Sequence, residues 1–69
     1  MPKFKIGDRV ERIGNLVSPY VKNGEITRVF IYNIGRFSFT EYEVKFDGGF
    51  TATSYETELR LVKLNKKLD

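Results

Sequence analysis

Between Glu41 and Phe46 apolar and charged residues alternate, with Tyr42, Val44 and Phe46 on one side of an extended chain and Glu41, Glu43 and Lys45 on the other. A period of two predicts a strand with one buried face. Asp47-Gly48-Gly49 follows, and residues tolerant of positive φ predict a tight reversal into Phe50. Upstream, Arg9-Val10-Glu11-Arg12-Ile13 reads as a short strand ended by Gly14-Asn15. Leu16 to Asn23, with Pro19 in its middle, has no period and reads as a long loop, pinned by Leu16, Val17 or Tyr20 folding back on the domain. Gly24 opens the second strand, and Glu25 to Tyr32 is rich in β-formers. Alternation fails there between Ile26 and Val29. A bulge near Thr27-Arg28 makes both of them core residues and bends the strand. Asn33-Ile34-Gly35-Arg36 reads as the next turn, leaving Ile34, Phe37 and Phe39 beside Arg36 at an unusually apolar hairpin tip. Phe50 to Tyr55 is a Thr-rich fourth strand, Glu56-Thr57-Glu58 a single helical turn, and Leu59-Arg60-Leu61-Val62 a last strand returning beside the first. Lys63 to Asp69, with Leu64 and Leu68 among lysines, reads as a tail.

Five short strands and no helix beyond one turn predict an all-β domain, bent into a small barrel, with one short helical turn before the last strand. One domain is expected over residues 1–69, its core at about 4–62. With 69 residues the chain buries only about 60% of its unfolded surface. It has no cysteine and no histidine, so neither disulfides nor soft-ligand metal sites are expected to support the fold. Its six Phe and four Tyr are the large side chains for a core. No run approaches the roughly 18 apolar residues of a membrane span, and the first residues lack the apolar stretch of a signal peptide, so a cytoplasmic, membrane-free protein is expected. The net charge is +3. Residues 1–40 hold seven basic and three acidic side chains, residues 41–69 five and six. If that imbalance became spatial, one side of the domain would steer anionic partners.

Several segments together resemble the SH3-like barrel superfold. Phe4-Lys5-Ile6-Gly7-Asp8-Arg9-Val10 is similar to the Gly-Asp-x-Val opening of many such barrels, and Gly24-Glu25-Ile26-Thr27-Arg28-Val29 to the Gly-x-Ile-x-x-Val strand of KOW-type modules. Tyr42 to Gly49 and Glu58-Leu59-Arg60-Leu61-Val62 complete the resemblance over residues 4–62. It implies a backbone geometry rather than one function. Members of the superfold include RNA-binding ribosomal and transcription-factor modules, Tudor-like peptide binders and small subunits of larger complexes. The plasmid-borne trimethoprim-resistant dihydrofolate reductases share the opening. Their fourth strand, however, carries a Val-Gln-Ile-Tyr motif where this chain has Thr51-Ala52-Thr53-Ser54, which argues against that activity.

Catalysis is not expected. Without His or Cys the usual proton shuttle and thiol nucleophile are missing. Glu41 and Glu43, a hairpin away from Glu56 and Glu58, read as a solvated face rather than as paired catalytic carboxylates. No dense Asp-x-Asp loop suggests a Ca²⁺ or Mg²⁺ site, and Gly14, Gly24 and Gly35 read as turns without a following helix to bind phosphate. No cofactor is therefore expected. The candidate binding residues are Tyr20, Lys22, Arg28, Tyr32, Arg36, Phe37 and Phe39, a basic and aromatic set suited to single-stranded nucleic acid: rings stack bases while cations neutralise phosphates. The competing explanation of these rings is the core of an 8 kDa domain. The competing function is docking of a protein partner, or of a second copy to give a homodimer, through the 34–39 hairpin and the small residues of Thr51 to Ser54.

Overall fold

The computed structural model describes residues 2–14 and 18–62. The expectations for Leu16, Val17 and the 63–69 tail lie outside the described residues. Five strands form one antiparallel sheet: β1 (Arg9–Arg12), β2 (Asn23–Ile34), β3 (Phe37–Phe46), β4 (Thr51–Tyr55) and β5 (Leu59–Leu61). Their order across the sheet is β4-β3-β2-β1-β5. Two 3₁₀ turns interrupt them, Pro19–Val21 before β2 and Glu56–Glu58 between β4 and β5.

The alternation in β3 decides which way the sheet faces. Tyr42, Val44 and Phe46 are buried together with Phe4, Val10, Ile26 and Leu59, and Val21 and Val29 pack against this cluster. Phe4 meets the Tyr42 ring edge-on at 5.2 Å. The chain that carries Phe4 is fixed by a turn in which Asp8 N–H donates to Lys5 C=O and Gly7 takes φ 96. A φ that positive at the third turn position is what a type II turn needs and what glycine supplies without strain. The Asp8 carboxylate closes the same turn by accepting from Lys5 N–H and Lys5 Nζ, both at 3.0 Å. Those hydrogen bonds, the backbone one first, hold Asp8 below the usual carboxylate range.

The bulge stands where the broken alternation predicts it. The β2–β3 register shifts between Ile26 and Arg28, with Ile26 opposite Val44 and Val29 opposite Tyr42, so both reach the core side. The extra residue, Thr27, donates its hydroxyl to the Glu43 carboxylate at 2.8 Å.

Opposite edges of the sheet, β4 and β5, are joined by only three residues. Five strands spaced about 4.8 Å apart put those edges roughly 19 Å from each other in a flat sheet, while a 3₁₀ turn advances about 2 Å per residue. The sheet must therefore curl strongly over its core. No ladder joins β4 to β5 among the described residues, so the curl stays open at that seam.

Two expectations change. Asn33 and Ile34 continue β2 rather than form the turn, and the reversal is the two-residue Gly35-Arg36 with Gly35 at φ 58. Tyr20 does not fold back with its ring, which is 66% exposed. Instead its backbone lies against Gly48, where an added Cβ would meet Tyr20 O at 2.5 Å, and Val21 supplies the buried contact. Antiparallel pairing interleaves the two halves of the chain, so Arg9 bonds Asp47, Arg28 approaches Glu43 at 3.5 Å and Glu11 bonds Arg60.

Candidate functional site

Strands β2 and β3 are much longer than their neighbours, and this creates the most distinctive surface of the molecule. Among the described residues β1 covers β2 only at Asn23 to Glu25, helped by backbone bonds in which Gly7 N–H donates to Ile26 C=O and Ile26 N–H donates to Asp8 C=O. β4 covers β3 from Glu41 to Lys45. Beyond those limits, among the described residues, the two strands pair only with each other: Ile31 with Thr40, Tyr32 with Phe39, Asn33 with Ser38 and Ile34 with Phe37. The result is a two-stranded arm, which contributes to the elongated 46 × 28 × 20 Å shape.

The side chains of this arm are mostly apolar, on a surface that the described residues leave open. Ile31, Tyr32, Ile34, Phe37 and Phe39 are all exposed, Phe37 by 76%. By alternation, Phe30, Tyr32, Ile34, Phe37 and Phe39 lie on the face away from the core. There Tyr32 and Phe39 stack directly across the strands with centroids 4.8 Å apart. Tyr55 of β4 approaches Phe39 edge-on at 6.1 Å and extends the row toward the sheet. Partial desolvation, and then the neighbouring Glu41, push the Tyr32 hydroxyl pKa up. From Val29 to Thr40 the single charged residue is Arg36.

The expected binding residues divide into two groups. Tyr32, Arg36, Phe37 and Phe39 come together on the arm, with Arg28 at its base. Tyr20 and Lys22 stand at the other end of the sheet, where Tyr20 adjoins Gly48 in the β3–β4 turn. The length of β3 separates Tyr20 from Phe37 at the tip, about 30 Å at the rise of an extended strand, while Arg28, opposite Glu43, stands between the two ends. Of the core explanation, Tyr32 and Phe39 are exempt, since both are exposed. The core rings are Phe4, Tyr42 and Phe46. Sequence reasoning passed over Phe30, Ile31 and Tyr55 as members of the surface. Pairing β2 and β3 two residues further than the assumed turn would have put Tyr32 opposite Phe39 and exposed the whole arm.

The carboxylates have structural partners. Glu43 accepts from Thr27 and Glu58 from Tyr55 N–H at 2.7 Å. Glu56 accepts the Tyr42 hydroxyl proton at 2.7 Å and the Lys3 N–H at 3.0 Å. The Tyr42 oxygen in turn accepts from Lys3 N–H and Phe4 N–H. Burial and then the Glu56 bond raise the Tyr42 pKa, and the Tyr42 and Lys3 bonds lower that of Glu56. This network ties the segment bearing Phe4 to the last turn. An open depression of about 500 Å³ includes Arg9, Glu25, Thr27, Lys45 and Asp47, and its charges offset one another: Arg9 chelates Asp47 at 2.6 and 3.1 Å, and Glu25 pairs across from Lys45. Among the described residues there is no group of three or more metal-ligating side chains and no helix long and apolar enough to cross a membrane.

No family model matches the chain, and neither the curated proteins nor the solved structures contain a match.

Proposed function

We propose that this chain is a non-catalytic, cytoplasmic binding module of the SH3-like barrel type, and that its β2–β3 arm docks on protein. The observation that carries the reading is the arm itself: five large apolar side chains exposed around one cation, on a ribbon with no described neighbour on either edge. A two-stranded ribbon is marginal in water, and contiguous exposed aromatics mark contact surfaces. The barrel assignment is supported by the short β4–β5 connection, the return of β5 to β1 and the glycine-centred opening turn.

Nucleic acid is the weaker reading. The Tyr32–Phe39 stack offers rings for bases, but a phosphate track needs free cations. On the aromatic face Arg28 is paired with Glu43, and Glu41 adds a second carboxylate beside Tyr32. Tyr20 and Lys22 are too distant to join the same contact.

A photo-crosslinking amino acid at Phe37, with Tyr20 as the comparison position, tests the proposal in cell extract. The expected result is protease-sensitive adducts at position 37 and few at position 20. Adducts removed by nuclease would transfer the site to nucleic acid, and no adduct at 37 would remove the arm as the docking surface.

A further inference from the structure

Which partner the arm takes follows from the backbone groups along its uncovered edge, granted that the arm is a protein-docking surface. Asp47 N–H donates to Asn23 C=O, which turns the odd-numbered residues of β3 toward β2. Their partners Phe30, Tyr32 and Ile34 therefore spend their N–H and C=O groups on β3. Val29, Ile31 and Asn33 direct theirs outward, to an edge that no described segment covers beyond Ile26. Such an edge pairs with another strand unless charge, proline or a bulge prevents it. Between Arg28 and Ile34 there is no proline and no charge after Arg28.

We infer that the occupant is a second copy of this chain, joined by antiparallel pairing of the two β2 edges about a two-fold axis at Ile31. Pairing a strand with itself keeps its faces in agreement only when opposed residue numbers sum to an even number, because side chains alternate with period two. Centring on Ile31 satisfies that condition and uses the whole uncovered segment. Ile31 then faces the partner's Ile31 on the core side. On the outer face Phe30 lies opposite the partner's Tyr32, and Tyr32 opposite the partner's Phe30. The Tyr32–Phe39 stack thus continues into an aromatic row that crosses the axis, a favourable cross-strand arrangement. Charge agrees with the register. Arg28 falls opposite the partner's Ile34, and the two Arg28 side chains stand six residues apart, about 20 Å along the strands, each beside its own Glu43. The symmetry is closed, as an isologous interface requires.

An edge of seven residues buries area at the low end of interface sizes, below about 1,200 Å², so the dimer depends on concentration. Sedimentation of the full chain across a wide concentration range should show a monomer–dimer equilibrium. Ile31→Lys places like charges face to face on the axis, at a side chain 56% exposed in the protomer, and should weaken dimerisation at least tenfold while leaving the circular dichroism unchanged. The chain has no cysteine of its own, so Ile31→Cys gives a clean second readout. Opposed Cα atoms about 5.5 Å apart fall within disulfide range, and mild oxidation should produce a covalent dimer. Phe37→Cys, roughly 25 Å from its counterpart in this register by six strand steps along the strands and three strand spacings across them, should not crosslink. A monomeric wild-type chain, dimerisation unaffected by Ile31→Lys, or equal crosslinking at 31 and 37 would each overturn the inference. If the wild-type chain is monomeric but a chain ending at Val62 dimerises, residues 63–69 are the occupant and the inference is equally lost. Protein adducts at Phe37 in extract beside a monomeric purified chain would leave docking by the arm intact and remove only the second copy.

Discussion

One hairpin contains two surfaces built on opposite principles. Near the sheet, apolar and charged residues alternate from Thr40 to Phe46, and Glu25 and Arg28 accompany the apolar residues from Asn23 to Phe30, since one face meets the core and the other meets water. On the arm, from Ile31 to Phe39, both faces are exposed, yet Arg36 is the sole charge. Solvation alone would favour the reverse, more charge where more surface is open. In the embedded half composition follows burial, and in the arm it departs from burial. The difference separates residues that hold the fold from residues that the fold leaves exposed.

Truncation should expose that contrast most strongly. Ile26 is fully buried and Ile31 is largely exposed. Ile26→Ala should cost about 2–5 kcal/mol, enough to unfold much of so small a domain, whereas Ile31→Ala should change stability by within about 0.5 kcal/mol. Urea denaturation of the two variants reads both. Comparable losses would mean that the arm packs on something within the protomer.

The glycines should divide in the same way. A methyl group at Gly24 would stand 2.6 Å from Lys45 O, against backbone that cannot retreat without distorting β3. Gly24→Ala should cost about 1–3 kcal/mol through overpacking. Gly35, at the arm's tip, has open space around it, and Gly35→Ala pays only for φ 58, about 1–2 kcal/mol. Thermal melts that reverse this order would contradict the close β2–β3 approach at Gly24.

Removing a hydroxyl should sharpen the comparison further. Tyr42→Phe leaves the Lys3 and Phe4 N–H groups and Glu56 without their shared partner, at a cost of about 1–3 kcal/mol. Tyr32→Phe, on the arm, should be close to neutral in the same denaturation assay.

The smallest expected effect is acidic. The Glu56 pKa is depressed in the fold, first by the Tyr42 bond and then by Lys3. A depressed carboxylate stabilises the fold above its unfolded pKa, and that contribution disappears as pH falls through the folded value. Stability should therefore decline below the ordinary glutamate range, and Glu56→Gln should flatten the acid limb of a stability–pH curve. The arm carries no carboxylate from Val29 to Thr40, so no variant there should alter that limb.

Much of this was legible in the chain because it is local. Alternation around Val44, the bulge at Thr27 and the 3₁₀ turn at Glu56 all follow from neighbouring residues. The candidate site was legible in part. Arg36, Phe37 and Phe39 were found by their crowding at a turn, but placing that turn at Asn33 hid the pairing of Tyr32 with Phe39. Tyr20 and Lys22 were grouped with them by residue type, and no local signal encodes a separation set by the length of β3.

The sequence by itself determined which segments extend and roughly where the chain reverses between them, since side-chain period and glycine placement act over a few bonds. Only the tertiary structure decided which rings are core and which are surface. Phe4 and Phe37 are chemically the same residue, but Phe4 lies under Tyr42 while Phe37 projects from the arm. That difference depends on where β1 and β4 stop covering β2 and β3, a contact between distant segments that no local pattern contains.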